Sequence, residues 1–257
     1  MKKFKAPVNY HEEVVAKISA KLKDDKAYYG EYGRQWLSNS DLYSLLNDPK
    51  TFRQPQKTTK AMIEGSYLHH AMLEPEKLSD YEILPVASRN TKLYKEAVAE
   101  SDQEILLLQS EVDNIDKCIQ AMKSNIDFCE NIYKIGNKFE VPSVGSVAGM
   151  DFKGKADIVC DECLIEIKTT SNIKDFKYSA RKYNYDSQAY IYQQLFGRHL
   201  QFYVVDKTTH QLGIFNPTQE FLDRGRDKVK LAITIYDQFF GEFKTNDINQ
   251  YISYEDF

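Results

Sequence analysis

The sequence is short of several things, and each shortage removes a class of protein. Cysteine is scarce, with four in 257 residues (Cys118, Cys129, Cys160 and Cys163). That is not the density of a disulfide framework, and the thiols are expected to stay reduced. Long apolar runs are missing. Nothing approaches the roughly 18 uninterrupted apolar residues of a membrane span, and the opening MKKFKAPVNYHEE lacks the apolar stretch of a secretory signal. These absences predict a soluble cytoplasmic protein with no membrane partner. Positive charge is in deficit too, with 34 Lys and Arg against 38 Asp and Glu and a net charge of -4. That argues against a broad basic surface coating nucleic acid, while leaving room for a narrow basic channel. No internal repeat, low-complexity tract or Gly/Pro/Ser linker divides the chain.

What is present suffices for a sizeable core, since 42% of the residues are hydrophobic. One domain over residues 1–257 is expected, with a helical N-terminal part to about 135 and a mixed α/β (α+β) core over about 136–245.

The organising stretch is 154–192. Ala156, Ile158 and Cys160 alternate with Lys155, Asp157 and Val159, and after a polar turn Cys163, Ile165 and Ile167 alternate with Leu164, Glu166 and Lys168. This is the pattern of a β-hairpin whose two apolar strands share one polar face. A symmetric antiparallel register places Asp157 directly opposite Glu166, with Cβ atoms about 4.5–5.5 Å apart, and Lys168 projects from the same face. Carboxylates that close repel unless one takes a proton or a cation sits between them; a divalent metal is the expected occupant. Cys160 and Cys163 fall on the apolar face and read as buried thiols, because two further zinc ligands at matching spacing are absent.

Upstream, residues 10–24 have the helical spacing Val14, Ile18 and Leu22. Ser40 or Asn39 is the expected N-cap of a short helix carrying Leu42, Leu45 and Leu46; Ser38 and Ser40 read as caps or as ligand contacts. Residues 57–73 form a helix with Ile63, Tyr67, Leu68 and Ala71 on one stripe and Gly65 and His69 on another side. A glycine there suggests close approach of another backbone. Residues 138–150 read as strand, Gly-containing turn and strand, with Glu140 either solvent-facing or beside the acids. Downstream come a basic helix (Lys174, Lys177, Arg181 and Lys182), a helix over 185–196 with Tyr185, Gln188, Tyr192 and Leu195 on one stripe, a strand pair, and a helix over 218–240. The basic run reads equally as a solvated face or as the wall of a nucleic-acid channel. Gln188 is unusual in a core stripe, because a buried amide needs partners.

Asp157 followed by Glu166-Ile167-Lys168 across a hairpin resembles the PD-(D/E)xK nuclease signature, with Ala156 where the name has proline. Gly65-Ser-Tyr-Leu-His69 resembles the GxxxH element of the RecB-like branch, and Gln188-Ala-Tyr-Ile-Tyr192 its QxxxY element. GSYLHHAMLEP, GKADIV and IKTT together look like phage and prophage exonucleases of the exonuclease VIII (lambda-exonuclease-like) type. The resemblance implies a restriction-endonuclease-like core, with a central mixed sheet and antiparallel catalytic hairpin flanked by helices, and extra N-terminal helices. It implies Mg²⁺, with Mn²⁺ substituting, held by His69, Asp157, Glu166 and the Ile167 carbonyl, with Glu140 as a further group. Asp157, Glu166 and Lys168 would be catalytic, and Gln188, Tyr192 and possible contacts at Ser38, Ser40 and Lys182 would meet the substrate. The implied activity is 5′ to 3′ digestion of linear double-stranded DNA to mononucleotides, leaving 3′ single strands for recombination, in the host cytoplasm if phage-encoded. The implied partners are duplex DNA ends, further copies in a trimeric or tetrameric ring, and a single-strand annealing protein. Two alternatives stay open: a RecB-like repair or defence nuclease of other polarity or endonucleolytic action, and a non-catalytic DNA-binding scaffold. An iron-sulfur nuclease would need cysteines after Cys163, and there are none.

Overall fold

The computed structural model describes residues 11–252. Its N-terminal half is helical: α1 (Glu12–Leu22), α2 (Asp25–Tyr29), α3 (Asn39–Asn47) and α4 (Lys60–Leu73) come first. After them β1 (Ile83–Leu84), α5 (Lys92–Glu100), β2 (Leu107–Leu108), α6 (Gln109–Ser124) and α7 (Ile126–Ile132) lead to the main sheet. That sheet comprises β3 (Lys138–Val147), β4 (Met150–Val159) and β5 (Cys163–Thr170), then, after α8 (Phe176–Lys182) and α9 (Tyr185–Phe196), β6 (His199–Asp206) and β7 (Leu212–Phe215); α10 (Gln219–Phe239) follows. The strand order is β3-β4-β5-β6-β7. Only β5 and β6 run parallel, joined by the α8–α9 crossover, while β1 and β2 form a separate parallel pair.

Helices cover both sheet faces. On one, Phe152, Ala156, Val159, Leu164 and Phe202 pack with Ala189 and Tyr192 of α9 and Val229 and Tyr236 of α10. On the other, Ile158, Ile165, Ile167 and Tyr203 pack with Leu68 of α4, Ile115 of α6 and Phe128 of α7. The hairpin is therefore not apolar on one side and polar on the other, as its alternation suggests. Ala156 and Ile158 join opposite clusters, so the alternation changes phase at Asp157. Cys160 and Cys163 are free and pack against the second cluster, half-buried rather than buried as the pattern suggests.

Local chemistry explains several boundaries. Ser38, rather than Ser40 or Asn39, caps α3, and Asp41 closes a capping box. In α1, Val14 is exposed, while Val15 and Ile18 pack against Trp36 and Val144. Residue 10 of the expected first helix lies outside the described residues. β3 runs unbroken through Gly145, because that glycine accommodates Leu195 of α9 and makes no turn: a Cβ would lie 3.2 Å from Leu195 Cδ2. The chain reverses at Ala148-Gly149, both at positive φ (52° and 85°), as a two-residue hairpin turn requires. Gly225 of α10 has the same packing role, since a Cβ there would sit 2.1 Å from the Asp186 carbonyl oxygen.

Candidate active site

The two signature carboxylates lie where the sheet comes apart. β4 and β5 pair at Ile158↔Ile165 and Val159↔Leu164. Continuing that register puts Asp157 opposite Glu166, as the hairpin pattern predicts, but the backbone ladder stops one pair short. Side chains replace it. The Asp157 N–H donates to Glu166 Oε1 at 3.2 Å, and the Ile167 N–H donates to Asp157 Oδ2 at 2.7 Å. On the other side, β3 pairs with β4 at Phe139↔Ile158 and Val141↔Ala156 but skips Glu140 and Asp157. Glu140 takes φ 48° there, a conformation few side-chain-bearing residues adopt, which breaks the pleat beside Asp157. Three acids thus sit in one row across three strands.

α4 adds the fourth group. His69 Nε2 lies 3.0 Å from the Ile167 carbonyl oxygen and Nδ1 lies 3.4 Å from Asp157 Oδ2. Ligand atoms offered by His69, Glu140 and Asp157 all fall within 4.8 Å of one another, so this trio can hold a metal ion. Glu166 is engaged differently, for its Oε2 accepts from Lys168 Nζ at 3.0 Å and from Gln188 Nε2 at 2.8 Å.

The protonation preferences set by this environment fit a cation. Burial, and then the charge on Asp157, pushes Glu140 up to about 9. Burial raises Asp157 to about 6 against the pull of Lys168 and the Ile167 N–H. Burial and Asp157 raise Glu166 to about 7. Burial, then the charge on Lys168, lowers His69 to about 4, leaving a neutral imidazole with a lone pair to offer. For Lys168, burial favours the neutral amine, but Glu166 and Asp157 outweigh it and hold the ammonium charged. Oxygen and imidazole donors, with carboxylates kept from ionising by burial and, for Glu140 and Glu166, by the charge on Asp157, suit a hard divalent ion.

The remaining candidates are placed as follows. Gln188 reaches Glu166 as a donor. Tyr192 Oη donates to the Lys155 carbonyl at 2.9 Å and accepts from the Lys155 N–H at 3.3 Å. Its ring lies so close to β4 that a Cβ at Gly154 would be 2.6 Å from Cε1, which explains the glycine of the GKAD run. Ser38 and Ser40 line the same cleft, their hydroxyls 2.9 Å apart, whereas Lys182 is exposed and lies outside its lining. Gly65 faces the cleft with nothing within 4 Å of a would-be Cβ. It leaves open space, where the sequence suggests a close backbone approach.

The cleft, of about 1230 Å³, also holds groups the sequence did not single out: Tyr28, Tyr29, Arg34, Arg53, Lys153 and Lys155. Lys155 bonds Asp25 at 2.6 Å. Lys153 is buried against the Tyr28 ring and carbonyl, and that burial lowers it to about 8. A usable signal existed for the lysines: both stand at two-residue steps before Asp157 on its own strand. The groups from α2 and the segment around Arg34 are brought in by tertiary packing alone.

Residues 43–244 match the model of the family described as PDDEXK-like domain of unknown function (DUF3799), and the chain belongs to that family. Its mixed five-stranded sheet flanked by helices is consistent with the PD-(D/E)xK fold. A candidate exonuclease from Eubacterium rectale has a similar fold, with a TM-score of 0.62 and 17% identity over 83% of this chain and 85% of that one. A phage-related exonuclease from Haemophilus somnus 129PT aligns at 14% identity over 79% of this chain and 94% of its own, with a TM-score of 0.35. An alkaline exonuclease from Laribacter hongkongensis aligns at 16% identity over 85% and 91%, with a TM-score of 0.32. No curated protein sequence matches the chain. Among the described residues, no helix is long and apolar enough to cross a membrane.

Proposed function

We propose that this protein is a divalent-metal-dependent exodeoxyribonuclease acting in the cytoplasm on the ends of linear duplex DNA. The observation that carries the reading is the row of Glu140, Asp157 and Glu166 across the broken ladder, closed by His69 and by Lys168 on Glu166. Paired buried acids next to a charged lysine have little value to a scaffold, and they match the requirements of phosphodiester hydrolysis. His69, Asp157 and Glu140 would hold Mg²⁺ or Mn²⁺, with Glu166 and the Ile167 carbonyl contributing as the family resemblance implies. When bound, the ion supplies Lewis-acid stabilisation of the phosphoryl oxygens.

The chain's own groups do the rest. A water oxygen attacks phosphorus and the bond to the leaving 3′ oxygen breaks. Glu166, raised to about 7, can exchange a proton near neutral pH. Lys168, held charged by Glu166 and Asp157, offsets charge growing on the phosphate. Gln188 keeps Glu166 aimed by donating to Oε2, and Tyr192 fixes the strand carrying Asp157. The 5′ to 3′ polarity, mononucleotide products, ring assembly and annealing partner rest on the resemblance to exonuclease VIII-type enzymes.

The test uses end-labelled linear duplexes, which should shorten with Mg²⁺ and not with EDTA. Asp157→Asn keeps an acceptor for the Ile167 N–H while removing the charge, and it and Lys168→Gln should each cost about two orders of magnitude in rate, or about 2.7 kcal/mol. Full activity in either variant would sink the assignment. Cutting of a covalently closed circular duplex, which offers no end, would make the enzyme an endonuclease.

A further inference from the structure

The basic run after β5 takes no part in the site described above. α8 buries Phe176 and Ala180 and exposes Lys177, Tyr178, Arg181 and Lys182, with Lys174 exposed just ahead. Among the described residues, none of these four cations forms an ion pair. In the cleft, by contrast, Lys155 is matched by Asp25 and Lys168 by Glu166, and Lys207 on the turn following β6 by Glu64. In a chain with more carboxylates than cations, an unmatched basic face leaves its charge available to an anionic partner.

Aromatic rings accompany the charge. Tyr178 and Tyr183 are 58% and 49% exposed, and Lys177 and Lys182 lie 4.9 and 5.6 Å from their ring centroids. The path continues into the cleft: the Tyr183 ring is 6.2 Å from that of Tyr185, which in turn is 5.0 Å from Lys168 Nζ. The junction is braced. Lys228 Nζ donates to the Arg181 carbonyl at 3.0 Å, to Asn184 Oδ1 at 2.7 Å and to Asp186 Oδ1 at 2.9 Å. Asn184, at φ 57°, turns the chain directly into α9.

We propose that this face is a track for single-stranded DNA leading from the cleft past Lys168, an inference that rests on reading the cleft as a DNA-hydrolysing site. Cations along one helix face neutralise successive phosphates, and exposed rings accept stacked bases. A duplex would satisfy the cations but hides its base faces, so the tyrosines select an unpaired strand.

Fluorescence anisotropy in EDTA, with labelled oligothymidylate and a blunt hairpin duplex as separate probes, tests this on the full chain. The combined variant Lys177→Gln, Arg181→Gln and Lys182→Gln should flatten the log-log salt slope for oligothymidylate by about 2, at about 0.7 for each phosphate no longer neutralised. Tyr183→Ala should weaken oligothymidylate binding about tenfold and leave the duplex nearly unchanged. All four positions are exposed, so unchanged circular dichroism is the expected control. Unaltered oligothymidylate binding in both variants, or an equal loss on the duplex, overturns the track. If the wild type binds oligothymidylate through α8 yet releases no nucleotide from DNA with Mg²⁺, the nuclease reading fails and the track stands. If DNA is hydrolysed and the variants bind as the wild type does, the track alone fails.

Discussion

Glu140→Gln should make the metal-free protein more stable, by an amount that grows with pH. In the folded chain the Glu140 carboxyl is raised from 4.5 to about 9 by burial and by Asp157. Between those values the folded state holds a proton that the unfolded chain has lost, so wild-type stability falls as pH rises through the window and is unaffected below it. Each pH unit in the window costs about 1.4 kcal/mol, which sets a ceiling of about 4 kcal/mol at pH 7.5. Glu140 keeps some contact with water and Asp157 shares the strain, so about 1–2 kcal/mol is expected, or about 3–6 °C in Tm for a chain of this size. Gln carries no such penalty. Thermal melts in EDTA at pH 5 and pH 7.5 should show the variant gaining at the higher pH only. Adding Mn²⁺ should reverse the order, because binding stabilises the intact ligand set more. A variant that melts at or below the wild type in EDTA at both pH values would refute the strained-carboxylate account.

Three further outcomes are expected. Gln188→Leu removes a hydrogen bond to a buried carboxylate, worth about 1.5–3 kcal/mol, and should lower kcat about 10- to 100-fold in single-turnover assays while leaving DNA affinity near wild type. Arg89→Ala breaks a two-pronged pair to buried Glu111, 2.6 and 2.7 Å; with Lys60 still beside Glu111, the loss should be about 2–3 kcal/mol by urea unfolding. Gly225→Ala forces a methyl into the Asp186 carbonyl and should cost about 1–3 kcal/mol by parting α10 from α9, again read by urea unfolding.

Much of the layout was legible in the residues. The hairpin register, the helix carrying His69 and the limits of α9 follow from period, caps and turn residues, because each is decided within a few neighbours. What escaped depends on distant packing. Of the two glycines in 138–150, Gly149 makes the expected turn, while Gly145 is a seat for Leu195. Gly65 looks like a contact and is a gap. A short strand can be read at 81–84, where β1 lies, but its partner β2, more than twenty residues on, is a dipeptide too short to carry a periodic signal. The change of phase at Asp157, which sends Ile158 to the face opposite Ala156, follows from Glu140 at positive φ, and no alternation rule anticipates it. The sequence does hint at that break, since three acids on neighbouring strands cannot pack as ordinary rungs.

The amides of Asp157 and Ile167 are shielded by carboxylates and not by carbonyls. Their hydrogen-exchange rates should therefore report the ionisation of the site from within, slowing when the acids are charged or ligated and quickening when they are protonated. The same dependence constrains descent. A relative that gives up hydrolysis still needs acceptors at these two positions to keep its sheet closed, so Asn and Gln, not Ala, are the residues expected in its place.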